Sequence, residues 1–290
     1  MVVKNQTDFQ KVIVIGYGRI AYEVLQHVFA LRESFGYEVQ YIEYEVYPFN
    51  RAVRFAQEHD IFFRNIPEKS DLTDFLLSQD KKTLIISAHN TFLFPKSVVE
   101  KLNVTIINFH NALLPHYPGR NAPSWMIYEN ASEAGITWHY VTAEVDAGNI
   151  IIQKRCDIER EIKAYQLADQ LMVLGYEGFE ECIETVLKET VRAVSQEIRA
   201  DRRIYKSTDV PGDAHFTDMD APADIYRLLR AVDYGKNRIF PQVMATLKGR
   251  EVRIERYRKV EAEDVPNGED RMFLPLDDGY LMLKYSLLNI

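Results

Sequence analysis

Along its first 190 residues the chain changes hydrophobic period again and again. VIVI (12–15) is β-branched and apolar on both faces, and GYGRIA (16–21) leads from it into AYEVLQHVFALRESFG, whose apolar residues recur near every 3.6 positions. That pattern predicts a buried strand, a glycine turn and a helix. EVQYIEYEV (38–46) alternates as a second strand, FNRAVRFAQEHD (49–60) reads as a helix, and IFFRNI is a short apolar segment. SDLTDFLLSQ is expected to open a helix on Ser70 as N-cap and to set Leu72, Phe75 and Leu76 on one face. TLIISA (83–88) is another buried strand, and helical SVVEKL leads into the strand VTIINFH (104–110). Strands separated by helices predict an α/β unit with a parallel sheet covered on both sides.

APSWMIYENA (122–131) reads as a helix, GITWHYVTAEV (135–145) alternates as a strand, DAGNIIIQKRCDI (146–158) gives a turn and a strand, and 161–189 has the spacing of a long amphipathic helix. From about Arg199 the tone turns polar and irregular, which places a domain boundary there: residues 1–198 form a larger unit and 199–290 a smaller one. In the second, ADIYRLLRAV (223–232) reads as a helix. PQVMATLKGREVRIERYRKV, RMFLPLDD and GYLMLKYSLLNI read as hairpin strands turning at Lys248-Gly249 and Asp278-Gly279, so this unit is expected to be β-rich.

Composition narrows the class. A net charge of −8 disfavours a nucleic-acid partner, which would need a cationic face to release counterions. Cys156 and Cys182 show neither a paired metal spacing nor a disulfide framework, as expected in a reducing compartment. VIVI is too short for a signal sequence or membrane span, so no membrane role and a cytoplasmic location are the expectations. Apolar positions in the last strands allow two chains to pair as a homodimer.

Three stretches bear on chemistry. Gly16, Tyr17 and Gly18, between a strand and a helix, place backbone N–H groups where an anion can sit, and Glu43 or Glu45 stands roughly where a ribose-binding acid belongs in a dinucleotide fold. Ala21 replaces the third glycine of that fingerprint, and such turns also serve plain close packing. The second stretch is NFHNALLPHYPGRNAP (108–123). A strand ending in Asn-x-His sets Asn108 and His110 on one face, aimed into the crevice at the C-terminal ends of a parallel sheet. An amide can stabilise an oxyanion and an imidazole can move protons near neutral pH. An arbitrary Asn-x-His is more often a capping amide and a satisfied loop histidine. Here Pro115, Pro118, Gly119 and Pro123 stiffen the chain behind the pair, as pre-ordering of a site requires. The third, Glu144 to Asn149, reads by itself as a hairpin turn. Beside Asn108 and His110, Asp146 supplies a carboxylate able to orient an imidazole.

Taken in order, Asn108-x-His110, Leu113-Leu114-Pro115, Gly119, Ala122-Pro123, Trp125, GITWH (135–139) and Asp146-x-Gly148 resemble the 10-formyltetrahydrofolate-dependent formyltransferases, with weaker similarity over most of 11–190. The family includes enzymes acting on methionyl-tRNA, glycinamide ribonucleotide and amino sugars. The resemblance implies a Rossmann-like domain, 10-formyltetrahydrofolate as formyl donor, a primary amine of a small molecule as acceptor, and Asn108, His110 and Asp146 as the catalytic trio. It also implies pterin contacts at Asn90, Phe92, Leu93 and Val145, leaving Gly16, Tyr17 and Gly18 free for an anionic part of the acceptor. No metal is needed. His89 and His116 match no motif position and are read as loop histidines, and Phe92 reads equally as core. Ala112 stands where many relatives have Ser, and Asn111 where a small residue is usual, so placement of the acceptor is expected to differ. Two other readings stay open: a hydrolase that gives the formyl group to water, and a nicotinamide-dependent dehydrogenase resting on residues 16–21 and Glu43. A start at the first strand, without the extra N-terminal domain many such hydrolases carry, favours transfer. The dehydrogenase leaves Asn-x-His and Asp-x-Gly unexplained.

Overall fold

The computed structural model describes residues 7–46, 50–261 and 270–288. The expected βα alternation is present: β1 (Lys11–Gly16), α1 (Gly18–Phe35), β2 (Glu38–Glu43), α2 (Arg51–Glu58), β3 (Phe62–Asn65), α3 (Lys69–Leu77), β4 (Thr83–Ala88), α4 (Lys96–Val99) and β5 (Val104–His110). β1 and β4 are buried along their whole lengths, as strands covered on both faces must be. α1 ends where Gly36 adopts φ 83°, the left-handed cap for which glycine carries no Cβ penalty. α3 starts one residue before the expected cap: Glu68 holds the N-cap position, and the Ser70 hydroxyl bonds its neighbour Asp71 instead. The SVVEKL helix is only the four residues of α4. The start of the expected 49–60 helix, Phe49, lies outside the described residues.

After β5 come α5 (Ala122–Tyr128), β6 (Glu133–Tyr140), β7 (Ile150–Asp157) and α6 (Ala164–Leu187). The seven-stranded sheet has the order β3-β2-β1-β4-β5-β6-β7. β3 through β5 pair in parallel, whereas β6 runs antiparallel to β5, so the sheet is mixed at this side. The order reverses between β1 and β4, the position at which open α/β sheets form a ligand crevice beyond their strand ends. The core beneath is Ile13, Ile15, Ile42, Leu72, Leu76, Ile85 and Ile106.

The chain divides into two compact units that interleave in sequence: one is Met1–Gly119, Gly135–Cys156 and Asp169–Ile204, the other Arg120–Ala134, Asp157–Ala168 and Tyr205–Ile290. The second holds β8 (His215–Thr217), α7 (Pro222–Ala231), β9 (Met244–Leu247), β10 (Arg250–Val260), β11 (Arg271–Leu276) and β12 (Gly279–Leu287). Its five-stranded sheet, ordered β11-β12-β10-β9-β8, packs Ala245, Val252, Ile254, Leu281 and Leu283 with Ile225, Leu228 and Leu229 of α7. β8 lies within the stretch that the sequence shows as irregular, because three residues are too few to display a period. Among the described residues no helix is long and apolar enough to cross a membrane.

Candidate active site

Asn108 and His110 close β5, and the ladder that binds β5 to β4 on one side and β6 on the other fixes both. Ser87 pairs in register with Asn108 from β4, and His139 from β6. Those neighbours decide how the amide points. The Ser87 hydroxyl donates to Asn108 Oδ1 at 2.6 Å, and Asn108 Nδ2 stands 3.1 Å from His139 Nε2. His139 Nδ1 donates to the Tyr140 carbonyl at 2.9 Å.

Asp146 joins this group from the β6–β7 loop, in the left-handed region at φ 48°. Its Oδ2 lies 3.6 Å from His110 Nδ1 and accepts from the Gly119 N–H at 2.7 Å, while Oδ1 lies 3.6 Å from His139 Nε2. His139 Nε2 therefore stands between an amide donor and a carboxylate: unprotonated it accepts from Asn108, protonated it can serve Asp146. His110 Nε2 faces the Tyr117 carbonyl at 2.9 Å, an oxygen that only accepts, so this nitrogen carries a proton. With an acceptor on each ring nitrogen, the surroundings favour the imidazolium form of His110. His110 and His139 are 5% and 2% exposed. Burial works to raise the Asp146 carboxyl; the charge of His110, then the bond and charge of His139, and the Gly119 N–H outweigh it and hold the group well below the usual carboxylate range.

The stretch after β5 is locked by more than its prolines. Thr137 Oγ1 donates to the Ala112 carbonyl at 2.7 Å and accepts from the Leu114 N–H at 3.1 Å. Gln153 Nε2 reaches both the Leu114 carbonyl, at 2.8 Å, and Thr137 Oγ1, at 2.9 Å. The Leu114–Pro115 peptide is cis. The backbone is thus held where the Gly119 N–H meets the Asp146 carboxylate.

The remaining expected contacts divide. Asn90 donates to Ser87 Oγ and accepts from the Phe92 N–H, which ties its loop to the same network. Phe92 is buried in the core against Tyr44 and Phe94, whereas Leu93 is 59% exposed. Val145 presents its carbonyl to Arg202 at 2.5 Å. Gly16 is required by close approach: a Cβ there would sit 1.9 Å from the Ala88 carbonyl oxygen. The Tyr17 ring packs tilted against that of His89, with ring centroids 4.4 Å apart.

Glu43 does not match the ribose-binding acid of the dehydrogenase reading. It is 3% exposed, and its carboxylate accepts from Asn50 and, at 3.2 Å, from the Tyr41 hydroxyl. Burial pushes it up to about 7, with the Tyr41 bond opposing. A ribose acid has to be charged and open to the crevice; this one is occupied inside.

In the sequence Gln196 and Arg202 are not legible as site residues, while Ser87 and His139 stand only as members of the 87–94 loop and of GITWH, with no role of their own. Ser87 and His139 become neighbours of Asn108 only through strand register. Gln196 and Arg202 reach the Asp146 loop from some fifty residues downstream. Among the described residues, no group of three or more His, Cys, Asp or Glu side chains is placed to hold a metal ion.

Comparison with known proteins bears on the same region. The pattern of the family described as "Formyl transferase" matches residues 49–183. A methionyl-tRNA formyltransferase of Staphylococcus aureus (strain Newman) is 33% identical over 134 residues, covering 45% of this chain and 43% of that protein, and one from Staphylococcus epidermidis is 32% identical over 147 residues, covering 50% and 47%. The chain spans less than half the length of these relatives. Two crystal structures share the fold across nearly the whole chain at 18% identity. One is WlaRD, a sugar 3N-formyl transferase in the presence of dTDP and 5-N-formyl-THF, with TM-score 0.69 over 97% of this chain and 99% of that one. The other is an N-formyltransferase from Helicobacter canadensis with folinic acid and dTDP-3-aminofucose, with TM-score 0.70 over 95% and 98%. Residues 49–183, which contain Asn108, His110 and Asp146, match the formyl transferase family pattern over just under half of this chain.

Proposed function

We propose that this protein moves a formyl group from 10-formyltetrahydrofolate to a primary amine of a small molecule, and that Asn108, His110 and Asp146 carry the reaction. The observation behind the reading is the convergence of the three at the C-terminal end of β5, with the Asp146 carboxylate 3.6 Å from His110 Nδ1. Exposed Leu93, on the loop after β4, offers an apolar wall of the kind a pterin needs, and the amide network of Asn90 and Ser87 rigidifies that loop. The bound donor supplies an activated formyl carbon. As the amine adds to that carbon, negative charge grows on the formyl oxygen; the free N–H of the Asn108 amide and the positive field of His110 are placed to offset it. Imidazolium His110 can give its proton to the departing folate nitrogen, and the neutral imidazole it becomes can take the proton that the amine nitrogen loses, with the Asp146 carboxylate stabilising the charged form.

The acceptor class follows from charge and from the structural relatives. A net charge of −8 opposes a tRNA, and the solved structures that share the fold across nearly the whole chain include a sugar 3N-formyl transferase crystallised with dTDP and an N-formyltransferase crystallised with dTDP-3-aminofucose. A nucleotide-linked amino sugar is therefore the first acceptor to try. The test mixes purified protein with 10-formyltetrahydrofolate and a panel of amines and follows tetrahydrofolate. Release that requires one amine supports transfer; release without any amine assigns hydrolysis instead; no release in either case removes the proposal.

A further inference from the structure

The Asp146 carboxylate is aimed by a loop with no ladder of its own, and the loop's carbonyl groups are claimed by two side chains from the segment after α6. Gln196 Nε2 donates to the Asp146 carbonyl at 3.1 Å and the Gly148 carbonyl at 2.6 Å. Arg202 Nη2 donates to the Val145 carbonyl at 2.5 Å and to Glu144 Oε1 at 3.3 Å, and Nη1 reaches the Asp146 carbonyl at 3.5 Å. The Arg202 side chain is only 10% exposed, against 61% for its partner Glu144. That contrast marks the carbonyl contacts, not the surface ion pair, as what the guanidinium was buried for. The segment is itself fastened to the sheet by two hydrogen bonds between Val194 and Ile150, at 2.7 and 2.9 Å.

We infer that Arg202, assisted by Gln196, is a positioning residue: its guanidinium holds the left-handed turn at Asp146 so that the carboxylate meets His110 and His139. A non-glycine residue at φ 48° is strained and persists only where its surroundings hold it. On the far side of the loop Gly148 leaves no slack, since a Cβ there would lie 1.7 Å from the Tyr140 carbonyl oxygen. The clamp works through backbone geometry. The charges that set the Asp146 carboxyl are those of His110 and His139, and Arg202 is not among them. Loosening the turn should thus let the carboxylate drift away from both imidazoles, without removing a partner charge.

The consequence for turnover rests on the formyl-transfer reading; the consequence for Asp146 does not. The experiment follows the Asp146 carboxyl by carbon NMR across pH in the wild-type chain and in Arg202→Ala, Arg202→Lys and Gln196→Ala, with Arg199→Ala as control. Arg199 sits in the same segment, paired at the surface with Asp201. His110, His139 and the Gly119 N–H are the groups that act on the carboxyl. Expected is a titration midpoint at least about one unit higher in Arg202→Ala. Arg202→Lys and Gln196→Ala should fall between it and wild type, and Arg199→Ala should match wild type. Formyl transfer in Arg202→Ala should fall about tenfold to a hundredfold, chiefly in kcat, and added guanidinium ion should restore part of it. An unmoved carboxyl in a folded Arg202→Ala overturns the inference whatever the activity. If Arg202→Ala does not fold, unmoved carboxyls in both Arg202→Lys and Gln196→Ala overturn it as well. A wild-type protein with no formyl transfer removes the function proposed above but leaves the carboxyl measurement decisive for the clamp.

Discussion

Glu43, at the end of β2, and Asp146, in the β6–β7 loop, are carboxylates shut inside the same unit, and their surroundings drive them in opposite directions. Around Glu43 the donors are neutral, a tyrosine hydroxyl and an amide, so burial wins and the group rises to about 7. Around Asp146 two imidazoles and a backbone N–H overcome the same penalty and hold it charged. Neutral donors alone leave burial in control at Glu43, whereas at Asp146 the charge of His110 adds to the bonds from His139 and the Gly119 N–H and outweighs it. The difference separates an acid that braces the glycine turn, through a Tyr41 hydroxyl that also reaches the Gly16 carbonyl at 2.8 Å, from an acid that can serve proton chemistry.

The sharpest way to break the comparison is to remove the charged group. Asp146→Ala and His110→Ala should each lower formyl transfer by about 10²- to 10⁴-fold with folding intact by circular dichroism. Near-normal rates in either would strip both residues of their roles. Asn108→Ala should cost about a hundredfold in kcat, the order seen when one oxyanion donor is lost; an effect on KM alone would make the amide a binding group.

Stability against pH gives the opposite signs. Glu43 is protonated more readily folded than unfolded, so its contribution is full below about pH 4.5 and is lost as pH rises through about 7, a swing on the order of 3 kcal/mol. Glu43→Gln should flatten the decline in thermal midpoint between pH 5 and 8 while leaving formyl transfer unchanged; equal slopes in the two proteins would contradict it. The depressed Asp146 contributes stability that is present above its unfolded value and lost as acid titrates it. Ser87→Ala, which frees the Asn108 carbonyl oxygen, should have the smallest effect. It removes one hydrogen bond worth about 1 kcal/mol, a severalfold loss in kcat that Ser87→Thr should partly restore.

Much of this unit is legible in the chain because its strands are buried on both faces. β1, β4 and β5 stand out as runs of apolar β-branched residues, and Asn108 and His110 announce themselves by the polarity that ends such a run. β8 and the four-residue α4 are too short to carry a period. The antiparallel placement of β6 escaped for another reason: an alternating strand has the same pattern in either direction. The clamp on the Asp146 loop was hidden in a polar stretch that reads as a linker, since side chains that serve backbone carbonyls have no spacing rule.

The sequence by itself determined the alternation of strands and helices, the pairing of Asn108 with His110 on one strand face, and the need for a carboxylate such as Asp146, all of which follow from local period and side-chain chemistry. Only the tertiary structure decided which neighbours those groups have. Register set Ser87 and His139 beside Asn108, and two long-range side chains set the turn that brings Asp146 to His110. The proton balance of the site depends on these distances. Coulomb energy and hydrogen bonds act through space, and separation along the chain does not encode them.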